Sequence, residues 1–249
     1  MNTTKESPFG TYRKNAVMAG VLYFLGTVFG VLGGVIGGEV LSSFSFGKPL
    51  VGVDLLGIVA ANSARITGGS FLYLMMGISL MAMTVFLYPI FRKDSEELAM
   101  GMVLFRGALE GVFYFLSTLG FLVMVLLGNE YIATSANSAA LQSMGNVLYW
   151  FQGRLAPTGT ILFLIGAVCL YISFYRTRLI PRWLSVWGFI GVVLYMASAL
   201  LKFFSMDSGI GFYLEMVLAP QEMVMAAWLI VKGFNRSAIA ALFAKDVEG

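Results

Sequence analysis

The chain has 249 residues, 59% of them hydrophobic and 12% charged, with a formal net charge of +3. A soluble globular domain carries about 25% charged residues, so this composition points to a single membrane domain rather than a soluble protein. With no histidine and one cysteine, Cys169, the chain cannot form an intrachain disulfide, a histidine-ligated haem or zinc site, or a Ser-His-Asp or Cys-His catalytic unit.

A helix needs about 20 apolar residues to cross a hydrocarbon core of ~30 Å. After a polar tail, 1–15, six stretches meet that length: 16–41, 69–91, 97–127, 155–175, 183–204 and 211–232. The first is longer than the ~7–15-residue core of a signal peptide and is read as an uncleaved span. It carries Gly26, Gly30, Gly34 and Gly38, each four apart, with Gly33 and Gly37 beside them. Glycines at this spacing line one helix face and admit a neighbouring backbone. Packing inside the bundle is the main reading of that face, and a homodimer through span one is the second. No phosphate-loop or dinucleotide pattern is formed by these glycines.

Between spans one and two, residues 52–67 alternate apolar positions with Asp54, Asn62 and Arg65 and read as a short amphipathic helix on the outer face. The turn Asp94-Ser95-Glu96-Glu97 reads as a capping box opening span three. That span carries Arg106 and Glu110, four apart and so on one helix face, next to Gly107 and Gly111. Residues 131–150 are rich in Ala, Ser and Asn and read as a second outer helix. Cys169 sits in an apolar run of span four and reads as structural. Pro181 and Trp183 separate spans four and five. Span six carries Glu215 and Glu222 with Pro220 between them. The polar residues after 232 form a C-terminal tail.

Lys and Arg counts in the flanks orient the bundle. One side holds eleven (Lys5, Arg13, Lys14, Arg92, Lys93, Arg176, Arg178, Arg182, Lys232, Arg236 and Lys245), and the other holds four (Lys48, Arg65, Arg154 and Lys202). The richer side is expected to be cytoplasmic, with both chain ends on it. The Asn235-Arg236-Ser237 sequon then falls inside and carries no weight. The basic residues act as orientation signals, and nothing points to nucleic acid.

A charge at mid-bilayer costs at least ~2.5–3.5 kcal/mol on insertion scales, so it normally faces the bundle interior with a partner. At ~1.5 Å per residue, Arg106 and Glu222 lie at about the same depth, and Glu110 one turn further out. Lys202 and Glu215 match each other nearer the opposite surface. Pro220 lacks an N–H, which leaves the carbonyl of Met216 without its helical donor. The ligand or ion pocket candidates are therefore Arg106, Glu110 and Glu222, with Glu215 and Lys202. No metal site or cofactor is expected.

Several segments resemble one family. They are the opening run Arg13 to Tyr23, Tyr88-Pro89, the stretch Arg106 to Gly111, the loop Tyr175 to Leu184 with its Arg-Leu-Ile-Pro-Arg-Trp core, and the closing run Trp228 to Phe234. Together they resemble the bacterial membrane-protein family catalogued as domain of unknown function 4386. The resemblance covers most of the chain. It implies a bacterial inner-membrane protein with several spans, and it supplies no catalytic residues. The expected fold is an all-α, six-helix transmembrane bundle surrounded by membrane lipids. Three function classes remain open: a membrane-embedded small-molecule, lipid or ion binding or transport protein; a structural or regulatory membrane subunit; and a lipid-modifying enzyme using a glutamate as general acid or base.

Overall fold

A computed structural model describes residues 8–46, 50, 54–134 and 138–248. Lys5 and Lys48 lie outside the described residues, as do 52–53 and 135–137 of the two connections. The described elements are all helical. Six helices are long and apolar enough to cross a membrane: Gly10–Ser43 within α1 (Pro8–Phe46), α3 (Ser63–Phe91), α4 (Glu96–Ala133), α5 (Ala139–Thr177), α6 (Arg182–Phe203) and α7 (Ile210–Val231). Two shorter helices complete the chain, α2 (Leu55–Ala61) and α8 (Arg236–Glu248). The protein is an all-α, multi-pass membrane protein. Apolar side chains on the perimeter, such as Val35, Val85, Leu126 and Val193, are largely exposed. In water such a surface would aggregate, whereas in a bilayer it faces lipid tails.

Glycines set the approach of α1 to α3. A Cβ on Gly69 would stand 2.7 Å from the Gly33 carbonyl oxygen and 2.8 Å from the Gly37 Cα, so backbone meets backbone there. Gly26 faces Leu80 and Gly30 faces the Met76 sulfur, while Gly34 has only the Tyr73 hydroxyl within reach, at 3.6 Å. Gly38 has a different role. Its φ of 66° breaks the helix, and Arg65 Nε donates to the nearby Ile36 carbonyl at 3.1 Å. A positive φ costs glycine little and a side-chain-bearing residue more.

The two connections far from the chain ends differ from each other. Asp54 caps α2 by accepting from Gly57 N at 3.1 Å, and Leu55, Leu56 and Val59 are buried. Residues 139–150 form no separate helix, because α5 runs unbroken for 39 residues from its cap at Ser138 to Thr177. No proline lies between Ala139 and Ala156, and tertiary contacts hold that stretch. Gly145 packs on Leu56, and the Tyr149 hydroxyl accepts from Leu50 N at 2.9 Å and donates to Ser43 Oγ at 3.1 Å. The helix that holds span four therefore begins well before residue 155.

The other end of the bundle gathers both chain ends. The Arg13 guanidinium donates to the last carbonyls of α7, Ile230 at 3.1 Å and Val231 at 3.0 Å. Beyond Gly233, the stretch expected as a tail is helix α8. Ile239 and Leu242 are buried, and the Phe243 ring packs tilted against Tyr12, with centroids 5.6 Å apart. The spacing Ile239, Leu242, Phe243 puts one apolar stripe on this helix, and Asn235 Oδ1 accepts from Ser237 N at its start.

Candidate functional site

Arg106 lies in a π-helical turn, Val103–Leu109, inside α4. Such a turn carries one extra residue per hydrogen-bonded ring and locally redirects side chains. Gly166 of α5 lets this backbone come close, because a Cβ there would meet the Arg106 amide and stand 2.7 Å from the Arg106 Cβ. On the opposite side Gly107 packs on Thr84 of α3. Both approaches depend on glycine, and together they fix where the guanidinium points.

The guanidinium reaches three partners from three helices. Nη1 donates to Glu110 of its own helix at 3.2 and 3.4 Å. Nη2 donates to the Tyr23 hydroxyl of α1 at 2.5 Å and to Glu222 of α7 at 3.3 Å. The Tyr23 hydroxyl in turn donates to the same Glu222 oxygen at 2.5 Å. Phe163 of α5 places its ring 4.1 Å from the guanidinium carbon, within cation–π reach. Arg106 Nε is buried and has no hydrogen-bond partner among the described residues. Arg106 and Glu110 are each only 2% exposed, whereas the Glu222 side chain keeps 17%. Two carboxylates thus meet one guanidinium and one phenol, and Glu222 is the member closest to the surrounding medium.

Pro220 acts next door. The helix of α7 is broken at Met216 and Val217, between Ile210–Glu215 and Leu218–Val231. The Val217 carbonyl accepts from the Trp187 indole N–H at 3.1 Å. Pro220 withdraws the donor of the Met216 carbonyl, one residue before, so α6 places its indole N–H at the same break. Gln221 extends the polar seam. It is fully buried, accepts from the Tyr171 hydroxyl at 2.6 Å, and donates to the Leu184 carbonyl at 2.9 Å.

Lys202 and Glu215 form a second group. They pair at 2.5 Å, and Ser198 Oγ donates to the same carboxylate oxygen at 2.7 Å. No ion pair or hydrogen bond joins them to Arg106 among the described residues. The structure therefore brings Arg106, Glu110 and Glu222 together and keeps Lys202 with Glu215 apart from them.

Tyr23, Gln221, Gly166 and the π turn were not singled out in the sequence. Tyr23 and Gln221 carry a weak signal, being hydrogen-bonding groups within apolar spans. The π turn carries none that periodicity registers, since one added residue shifts the apolar stripe by only a fraction of a turn.

Over residues 18–233 the chain matches the family described as Domain of unknown function (DUF4386). The chain belongs to that family. No curated protein and no solved structure matches it. Tyr23, Arg106, Glu110, Gly166 and Glu222 all fall inside the DUF4386 region, and α8 lies beyond it.

Proposed function

We propose that this DUF4386 protein is a membrane-embedded binding protein of transport type, sited in a bacterial inner membrane with both chain ends in the cytoplasm. Its polar centre is the cluster of Arg106, Glu110, Glu222 and Tyr23. The observation that carries this reading is the charge balance. Two carboxylates share one guanidinium in a largely apolar shell, and one carboxylate keeps an exposed edge. A net negative cluster at that depth is costly, and one positive charge completes it. A proton or a small cation arriving at Glu222 is the simplest such charge. The eleven-to-four distribution of Lys and Arg between the two sides supports this orientation.

The test is flux across reconstituted vesicles containing a pH-sensitive dye, with separate arms for imposed proton, sodium and potassium gradients. The wild-type protein should dissipate one of them faster than empty vesicles do, and Glu222→Gln should abolish the difference. If wild type and empty vesicles behave alike in every arm, the transport reading fails.

A second reading has its own support. Arg106 and Glu110 are almost completely enclosed, and their bonds tie α1, α4 and α7 together. A structural or regulatory subunit would need such a lock and no cargo. Under that reading the cluster variants lose stability and no flux is seen at any pH.

A further inference from the structure

A cleft of about 480 Å³ lies at the end of the bundle that holds both chain ends. It is lined by the α5–α6 loop, Arg178 to Arg182, and by the end of α7, from Trp228 through Lys232 to Asn235. Three exposed cations rim it: Arg178, Arg182 and Lys232. Among the described residues, no acidic side chain lines it. Among the described residues, the side chains of Arg178 and Lys232 take no hydrogen bond or ion pair. Arg182 makes a ring contact with Tyr175, at 4.8 Å.

The cations at the opposite end are all engaged where they are described. Arg65 donates to the Ile36 carbonyl, Arg154 donates to the Phe203 carbonyl at 2.9 Å, and Lys202 pairs with Glu215. Even at the same end, Arg176 pairs with Asp94 at 3.0 Å, and Arg13 occupies the last carbonyls of α7. Those carbonyls would otherwise turn the negative end of the α7 dipole toward the cleft. Orientation signals require only that basic residues lie on this side. They do not require three cations around one concavity with no acidic partner among the described residues.

The geometry points to a site for the headgroup of an anionic phospholipid, with the phosphate among Arg178, Arg182 and Lys232. The cleft lies where the last turns of α5 and α7 and the first turn of α6 end, which is the level of a headgroup. Trp228 forms part of its wall, and Trp183, half-exposed on the first turn of α6, stands beside it as a ring for the interfacial zone. Basic pockets between spans at a membrane surface recognise anionic headgroups by this chemistry. The inference is independent of the Arg106 cluster and needs only that the helices span a membrane.

The test uses the full chain in neutral detergent, with short-chain phosphatidylglycerol, phosphatidylcholine of the same chain length, and inorganic phosphate as probes. Binding is read from the shift in thermal unfolding midpoint with probe concentration. Phosphatidylglycerol should raise the midpoint saturably, and the other two should not. Arg182→Gln and Lys232→Gln should each weaken phosphatidylglycerol binding, roughly fivefold per cation removed, with the midpoint in plain detergent unchanged. Arg178→Asn should do the same, since asparagine tolerates the left-handed backbone at this position, φ 55°. Equal shifts from phosphatidylcholine would overturn the proposal, as would equal shifts from inorganic phosphate or undiminished binding by a folded Arg182→Gln/Lys232→Gln variant.

Discussion

At the scale of single residues, the Tyr23 hydroxyl is the joint of the charge cluster. It accepts from Arg106 and donates to Glu222, so its removal leaves both charges short of a partner. Hydrogen bonds to charged groups contribute about 1.5–3 kcal/mol. Tyr23→Phe should cost about that much in unfolding free energy, measured by denaturation in detergent, because the ring packing is kept. Arg106→Met should cost more, up to ~3–5 kcal/mol, since it strands two carboxylates, and Glu222→Gln should also destabilise, since it takes one carboxylate from the guanidinium. The double variant should recover part of the loss, and the recovery is the coupling energy of the pair. Strict additivity would mean that the 3.3 Å contact contributes nothing. Glu110 adds a direction to the experiment. With Glu222 neutralised, Arg106 still faces one carboxylate, so Glu222→Gln should be milder than Arg106→Met.

At the scale of elements, two glycines in the same contact between α1 and α3 should behave oppositely. Gly69→Ala would drive a Cβ into the Gly33 carbonyl and the Gly37 backbone, and neither can move without separating the helices. A loss of about 1–3 kcal/mol is expected from this overpacking. Gly34→Ala meets only the Tyr73 hydroxyl at 3.6 Å, an ordinary contact. Alanine favours helix over glycine by roughly 1 kcal/mol, so this variant should unfold at or above the wild-type temperature. Parallel melting curves of the two variants check both outcomes. A destabilised Gly34→Ala protein would show that α1 sits closer to α3 than these distances allow. The broken helix of α7 belongs to the same scale. Pro220 withdraws the helical donor of the Met216 carbonyl, and the approach of Trp187 from α6 brings an indole N–H to the neighbouring carbonyl, that of Val217.

At the scale of the whole molecule, the single crossing of α7 puts the α6–α7 turn and α8 on opposite sides of the membrane. In a Cys169→Ser background, cysteines placed at Ser208 and Ser237 should react with an impermeant thiol reagent from opposite faces of right-side-out and inverted vesicles. Ser237 should react from the cytoplasmic face. Both positions are exposed, so accessibility within the fold does not limit the reaction. Labelling of both from one face would break the six-span arrangement. Labelling from opposite faces with Ser208 on the cytoplasmic side would keep the fold and reverse its orientation.

Class and spans were legible in the sequence because bilayer crossing is a local demand: each segment must satisfy its own backbone and present some 20 apolar residues. Arg106, Glu110 and Glu222 stood out for the same reason, as charges where the bilayer penalises them. The start of α5 and the existence of α8 were not legible, because both rest on partners distant in the chain. Gly145 is held by Leu56, Tyr149 by Ser43, and Phe243 by Tyr12. The site divides the same way. A depth count can set Arg106 level with Glu222, but depth carries no information about rotation around a helix axis. That rotation was decided by the π turn and by Gly166 and Gly107, which let α5 and α3 close on it. Tyr23 entered the cluster by the same route, through the packing of α1 against its neighbours. Local hydrophobicity decides that a segment crosses, and side-chain packing between segments decides which faces meet.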